Sequence, residues 1–109
     1  MTEFDAVVVG SGPNGLVAAV TLARAGWSVT VLEAASTPGG GTRTEELIRP
    51  GMLHDVCSTV HPLALASEAL RDLPLTAHGV EWIQPEIAAA HPLDGGRAGL
   101  LFPGLEDTV

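Results

Sequence analysis

Val7-Val8-Val9-Gly10-Ser11-Gly12-Pro13-Asn14-Gly15-Leu16-Val17-Ala18-Ala19 passes from a β-branched run, through three glycines, into an alanine-rich run. Ala6 to Val9 is apolar without alternation, which predicts a strand covered on both faces of a parallel sheet. Pro13 suits the first turn of a helix, and Leu16 to Ala25 predicts that helix. Its small alanine side chains would let it lie close to a sheet. Gly26 is placed to cap its C-terminus. Ser28-Val29-Thr30-Val31-Leu32 then predicts a second strand, ending at Glu33. Strand, helix and strand within about thirty residues make a βαβ unit, whose crossover is nearly always right-handed.

The loop between the first strand and the helix fits G-x-G-x-x-G at Gly10, Gly12 and Gly15. In that pattern the first glycine permits a tight turn and the second lets backbone approach a pyrophosphate. The third lets helix and strand pack closely. The helix N-terminus beyond it offers unpaired N–H groups and the positive end of the macrodipole, both suited to an anion. Glu33 lies near the separation of about 20 residues expected of a carboxylate that holds an adenosine ribose. A carboxylate there would repel a 2′-phosphate, so NADP is the least suited dinucleotide. The competing explanation is a plain strand–turn–helix whose glycines serve packing alone. FAD and NAD both fit the loop and Glu33, but NAD leaves the following Gly39-Gly40-Gly41 without a role.

Beyond Glu33 the chain reads as loop through Ser36-Thr37-Pro38-Gly39-Gly40-Gly41, with a short helix expected within Thr42 to Ile48. Arg49-Pro50-Gly51 breaks it. A second helix is expected from Leu63 to Leu73, with Leu63, Ala66, Leu70 and Leu73 on one face. Val80 to Gln84, Ile87 to His91 and Arg97 to Phe102 read as short strands, and Asp94-Gly95-Gly96 is a hairpin turn signal. Pro103 to Val109 resembles the approach to another helix. Two parallel strands cannot cover both faces of Val7 to Val9, so the chain is expected to be the N-terminal part of something longer.

The 109 residues are 46% apolar with a mean hydropathy of +0.31, as for a globular domain. A net charge of −8 leaves no basic surface for nucleic acid or for an anionic membrane. The N-terminus, Met1-Thr2-Glu3-Phe4-Asp5, lacks a basic signal-peptide region. No apolar run reaches the ~18 residues of a membrane span. Lone Cys57 fits a reducing compartment and cannot form an internal disulfide. The expectation is a soluble cytoplasmic protein, or one of the mitochondrial matrix in a eukaryote. His54, His61, His78 and His91 match no metal-ligand spacing, so no metal site is expected. Trp27 and Trp82 read as packing residues. No triad or paired carboxylates stand out, so no catalytic residue is named.

DAVVVGSGPNGLVAAVTLARAGWSVTVLEAASTPGGGTRT, residues 5 to 44, resembles the N-terminus of the phytoene desaturase-like and amine oxidase-like flavoproteins. The nearest group is the phytoene dehydrogenase-related oxidoreductases, which include the pyridine nucleotide-disulfide oxidoreductase domain-containing protein 2 type. The resemblance extends through RPGMLHDVCSTVHPLALASEAL and GVEWIQPEIAAAHPLDGGRAGLLF. It implies an α/β fold: an incomplete Rossmann-like FAD-binding βαβ unit within residues 1–60, with the start of an inserted β-rich, substrate-side region at residues 61–109. It gives Gly10, Ser11, Gly12, Pro13, Asn14 and Gly15 to the FAD pyrophosphate and Glu33 to the adenosine ribose. Gly39 and Gly40 would pass the phosphate and ribityl region, with Gly41 beside them. The wider pattern has arginines where this chain has Thr37 and Gly41; Arg43 is close enough to serve instead, and Thr44 fits the pattern's hydroxyl position. The implied activity is FAD-dependent hydride transfer at a C–C or C–N bond of a small apolar substrate. It needs the remainder of the chain to complete the domain. The 109 residues alone are expected to be inactive.

Overall fold

The computed structural model describes residues 3–108. They divide into two compact units, one ending at Pro74 and one starting at Leu75. Met1, Thr2 and Val109, which entered the readings of the two chain ends, lie outside the described residues.

The first unit opens with the βαβ unit. Strand β1 (Ala6–Val9) pairs in parallel with β2 (Val29–Leu32), in the register Ala6↔Val29 to Val9↔Leu32. Helix α1 (Pro13–Arg24) connects them. It begins three residues before the expected Leu16 because Pro13 has its φ already set for a first turn and lacks an N–H to leave unpaired. It ends in a Schellman motif: Gly26, at φ +91°, donates to the Ala23 carbonyl, and Trp27 donates to Leu22. The Asp5 carboxylate accepts from the Ser28 N–H at 2.7 Å, pinning the start of one strand to the other.

Burial along β1 alternates. Ala6 and Val8 are half-buried on the α1 side, while Val7 and Val9 are 55% and 84% exposed. The expectation of a strand covered on both faces is therefore met on one face only among the described residues. The helix side holds the small core, and its central residue is Ala19. An alanine there brings the helix axis near the strands, as its composition predicts.

After β2 the chain loops to a 3₁₀ turn at Gly40–Thr42, then enters β3 (Thr44–Glu45), antiparallel to β4 (His54–Asp55). The ladder is lengthened by Val56 donating to the Arg43 carbonyl and Ser58 to that of Gly41. The short helix expected within Thr42 to Ile48 is absent. Left-handed Gly39 and Gly40 turn the chain, and pairing with the 54–58 segment takes up its backbone groups. The helix expected from Leu63 to Leu73 shrinks to α2 (Glu68–Arg71), preceded by turns. Leu70 and Leu73 are half-buried but Leu63, at the start of the stripe, is 78% exposed, so its first turns lack the packing that helices shorter than about 12 residues need. Pro74 follows and disfavours continuation.

In the second unit, a 3₁₀ turn at Thr76–His78 ends at left-handed Gly79. Strands β5 (Ala89–Leu93) and β6 (Arg97–Leu101) form a hairpin, with Ala89↔Leu101 and Leu93↔Arg97 at its ends. The turn is Asp94-Gly95-Gly96 as expected, both glycines having positive φ. The strand expected at Val80 to Gln84 is not formed; that segment is irregular and pairs with no other strand. Pro103 to Glu106 leads into a 3₁₀ turn at Glu106–Thr108.

Candidate functional site: the glycine cradle and Glu33

The end of β1 and the start of α1 meet within the glycine loop. Gly10 turns at φ +92° while its N–H still donates to the Leu32 carbonyl at 2.7 Å, so the loop leaves directly from the parallel ladder. At Gly15, a side-chain carbon would overlap the Gly10 carbonyl oxygen and touch Val8. Helix and strand are in backbone contact there, as the third glycine of the pattern requires. Gly12 is the N-cap and supplies no side-chain cap. The first-turn N–H groups of Asn14 and Gly15 have no partner within the helix itself. With Pro13 donating nothing, these two amides and the positive end of the helix dipole are what this end of the loop could offer an anion.

The second glycine segment closes on the first. Gly39 donates its N–H to the Ser11 carbonyl at 2.9 Å. Gly40, at φ +55°, packs so closely that a Cβ on it would lie 3.0 Å from the Gly12 Cα. Two glycine segments far apart in sequence thus form one backbone surface. The Thr42 hydroxyl donates to the Gly39 carbonyl at 2.6 Å, and Arg43 Nε donates to that of Gly40 at 3.0 Å. These bonds hold the doublet from its other side.

Glu33 stands one residue beyond β2. Its Oε2 accepts from both the Ser11 N–H (2.8 Å) and the Ser11 hydroxyl (2.6 Å), while Oε1 accepts from the Ala35 N–H (2.8 Å). The Ser11 hydroxyl, then the backbone amides of Ala35 and Ser11, lower its pKa from the ordinary 4.5 to about 2. Glu33 is therefore a fixed anion at neutral pH. A carboxylate offers about four acceptor positions, so three donors leave room for a further hydroxyl.

Gly10, Ser11, Gly12, Pro13, Asn14, Gly15, Glu33, Gly39 and Gly40 are thus gathered around one loop. Ser11 differs from expectation in orientation: its two donors face Glu33. Gly41 and Thr44 lie toward the 54–58 segment, while Arg43 stays against the glycine doublet and reaches Glu45 of β3. Gly41 is next to Cys57, Arg43 makes a 3.4 Å ion pair with Glu45, and the Thr44 hydroxyl donates to Asp55 at 3.0 Å. The sequence reading missed the Ser11 tie. The available signal was a hydroxyl at a variable position of the loop, facing an acid at the end of the next strand. A shallow depression of about 340 Å³ is lined by Ser36, Thr37, Pro38, Arg43, Thr44 and Glu45, and not by the glycine loop. Among the described residues no group of three or more His, Cys, Asp or Glu is arranged to hold a metal, and no helix is long and apolar enough to cross a membrane.

The chain is similar along 98% of its length to a limonene dehydrogenase subunit of Castellaniella defragrans, at 36% identity, covering 19% of that protein. It is 43% identical to pyridine nucleotide-disulfide oxidoreductase domain-containing protein 2 of Mus musculus over 72% of the chain and 13% of the relative. It is 42% identical to hydroxyneurosporene desaturase of Rhodobacter capsulatus over 63% of the chain and 14% of the relative. The chain thus spans less than a fifth of the length of each. No solved structure matches it. The family of NAD(P)-binding Rossmann-like domains matches residues 8–73, from within β1 past α2. A strand, a glycine cradle, a helix N-terminus and a fixed carboxylate fit a dinucleotide cofactor, and with more than half its length matched, the chain belongs to that family of NAD(P)-binding Rossmann-like domains.

Proposed function

We propose that the chain forms the FAD-binding segment of an oxidoreductase that transfers hydride at a C–C or C–N bond of a small apolar substrate. The observation that carries the choice of FAD is the packing of Gly40 onto Gly12, which gives the second glycine segment a place in the cofactor cradle. The names of the relatives, a limonene dehydrogenase subunit and a hydroxyneurosporene desaturase, support the reaction class and an apolar substrate.

In this reading the amides of Gly12, Asn14 and Gly15 and the α1 dipole hold the pyrophosphate. Glu33 accepts the ribose hydroxyls. Bare backbone at Gly39, Gly40 and Gly41 lets the cofactor pass closely, with Arg43 and Thr44 at the edge. Bound FAD would supply the hydride acceptor, while the protein supplies position and electrostatics. Residues 61–109 begin a substrate-side region, and further chain completes the domain. The protein works in the cytoplasm.

A second reading, NAD in place of FAD, is favoured by the family description, NAD(P)-binding. Titration of the full natural chain with FAD, NADH and NADPH, followed by calorimetry, separates them. FAD is expected to bind tightest and NADPH weakest, because Glu33 repels a 2′-phosphate. NADH binding about tenfold tighter than FAD would overturn the proposal.

A further inference from the structure

Ser11 is 3% exposed, the one buried polar residue among those described. All three of its strong hydrogen-bonding groups near the loop are engaged within the protein. The N–H and hydroxyl both donate to Glu33 Oε2, and the carbonyl accepts from Gly39. A residue so placed has no donor left for a phosphate. It instead joins three segments, each of which the cofactor would touch: the glycine loop, the carboxylate after β2, and the glycine doublet.

We infer that Ser11 is a positioning residue, which sets the Glu33 carboxylate for a ribose diol and docks the Gly39-Gly40 segment onto the loop without itself contacting the cofactor. The inference rests on the dinucleotide reading above. Its physical basis is the geometry of one oxygen. Two donors converging on Oε2 fix the rotation of the carboxylate, and the Ala35 amide fixes Oε1. The remaining acceptor position then has a set direction, so a ribose hydroxyl meets an oriented anion rather than a mobile side chain. Hydrogen bonds to charged groups are among the stronger ones, so losing the hydroxyl is felt at the ligand that Glu33 receives.

The test uses the full natural chain, with Ser11→Ala, Glu33→Gln and the double variant, and with ADP and 2′,3′-dideoxy-ADP as probes. Ser11→Ala is expected to weaken ADP about tenfold and to leave dideoxy-ADP, which lacks the diol, nearly unchanged. In the Glu33→Gln background the same substitution is expected to cost nothing further. Carbon NMR of the Glu33 carboxylate gives a readout without ligand. On acidification it should titrate at higher pH in Ser11→Ala than in the wild type. Ser11→Gly serves the same purpose if the alanine variant does not fold, since glycine already flanks the position on both sides. Equal losses for ADP and its dideoxy analogue, or a full loss persisting in the Glu33→Gln background, would overturn the inference alone. Failure of the wild type to bind any adenosine ligand would instead overturn the dinucleotide reading, and this inference with it.

Discussion

Gly15 has the least freedom of any residue near the site. The carbonyl of Gly10 occupies the place where a side chain would begin, and Val8 lies just behind it. Gly15→Ala must therefore push α1 off β1 or rotate the loop, and either moves the first-turn amides away from an anion. The expected result is a loss of dinucleotide affinity of at least about tenfold and a destabilisation of about 1–3 kcal/mol, the usual range for overpacking. Calorimetric titration and urea unfolding of the variant check both. Gly12 presents a different case: nothing in the protein lies within reach of a Cβ there, so a side chain at this position would occupy only the space left for the proposed ligand. The sequence pattern assigned different tasks to these two glycines, and the packing task falls to Gly15. Ser11 was harder to foresee. Its type is compatible with phosphate binding, and only the fold reveals that its donors face inward.

Among the elements, α1 is specified almost entirely by local chemistry. Pro13 starts it, alanines sustain it, and Gly26 ends it with two backbone bonds. Gly26→Ala forces a side chain into the left-handed region, where nothing crowds it but the backbone itself is strained. A loss of about 1–2 kcal/mol is expected, measurable as a lower urea midpoint, with cofactor affinity little changed because the site lies at the opposite end. Elements specified locally were legible: the βαβ unit and the Asp94-Gly95-Gly96 hairpin. Those that depend on a partner were not. The leucines from 63 to 73 do share a helical face, but periodicity says which side would be buried, not whether anything covers it. Val80 to Gln84 has strand-like residues and no neighbouring strand to pair with. Within Thr42 to Ile48, Thr44 and Glu45 went the other way, drawn into β3 by a partner, β4, that lay further along the chain.

At the scale of the molecule, charge matters more than any one contact. Thirteen acids face five basic residues, and the anion at Glu33 sits among them with its pKa lowered to about 2. A carboxyl whose folded pKa lies below its unfolded value stabilises the fold fully above the unfolded value. That contribution is lost as the pH falls through the folded one. The difference in stability between wild type and Glu33→Gln is accordingly expected to be widest above pH 4.5 and to close toward about pH 2. Urea midpoints measured across that range test it; a gap that stays constant with pH would contradict the Ser11 and Ala35 bonds as its cause. The interlock of Gly12 with Gly40 has a consequence in mutational terms. A surface formed where two main chains touch depends on atoms that are missing, so substitution can damage it only by adding matter, and every replacement of a glycine adds some. At this seam the side that cannot grow is Gly40, where a single methyl group would press on the Gly12 backbone whatever chemistry the rest of the new side chain carried.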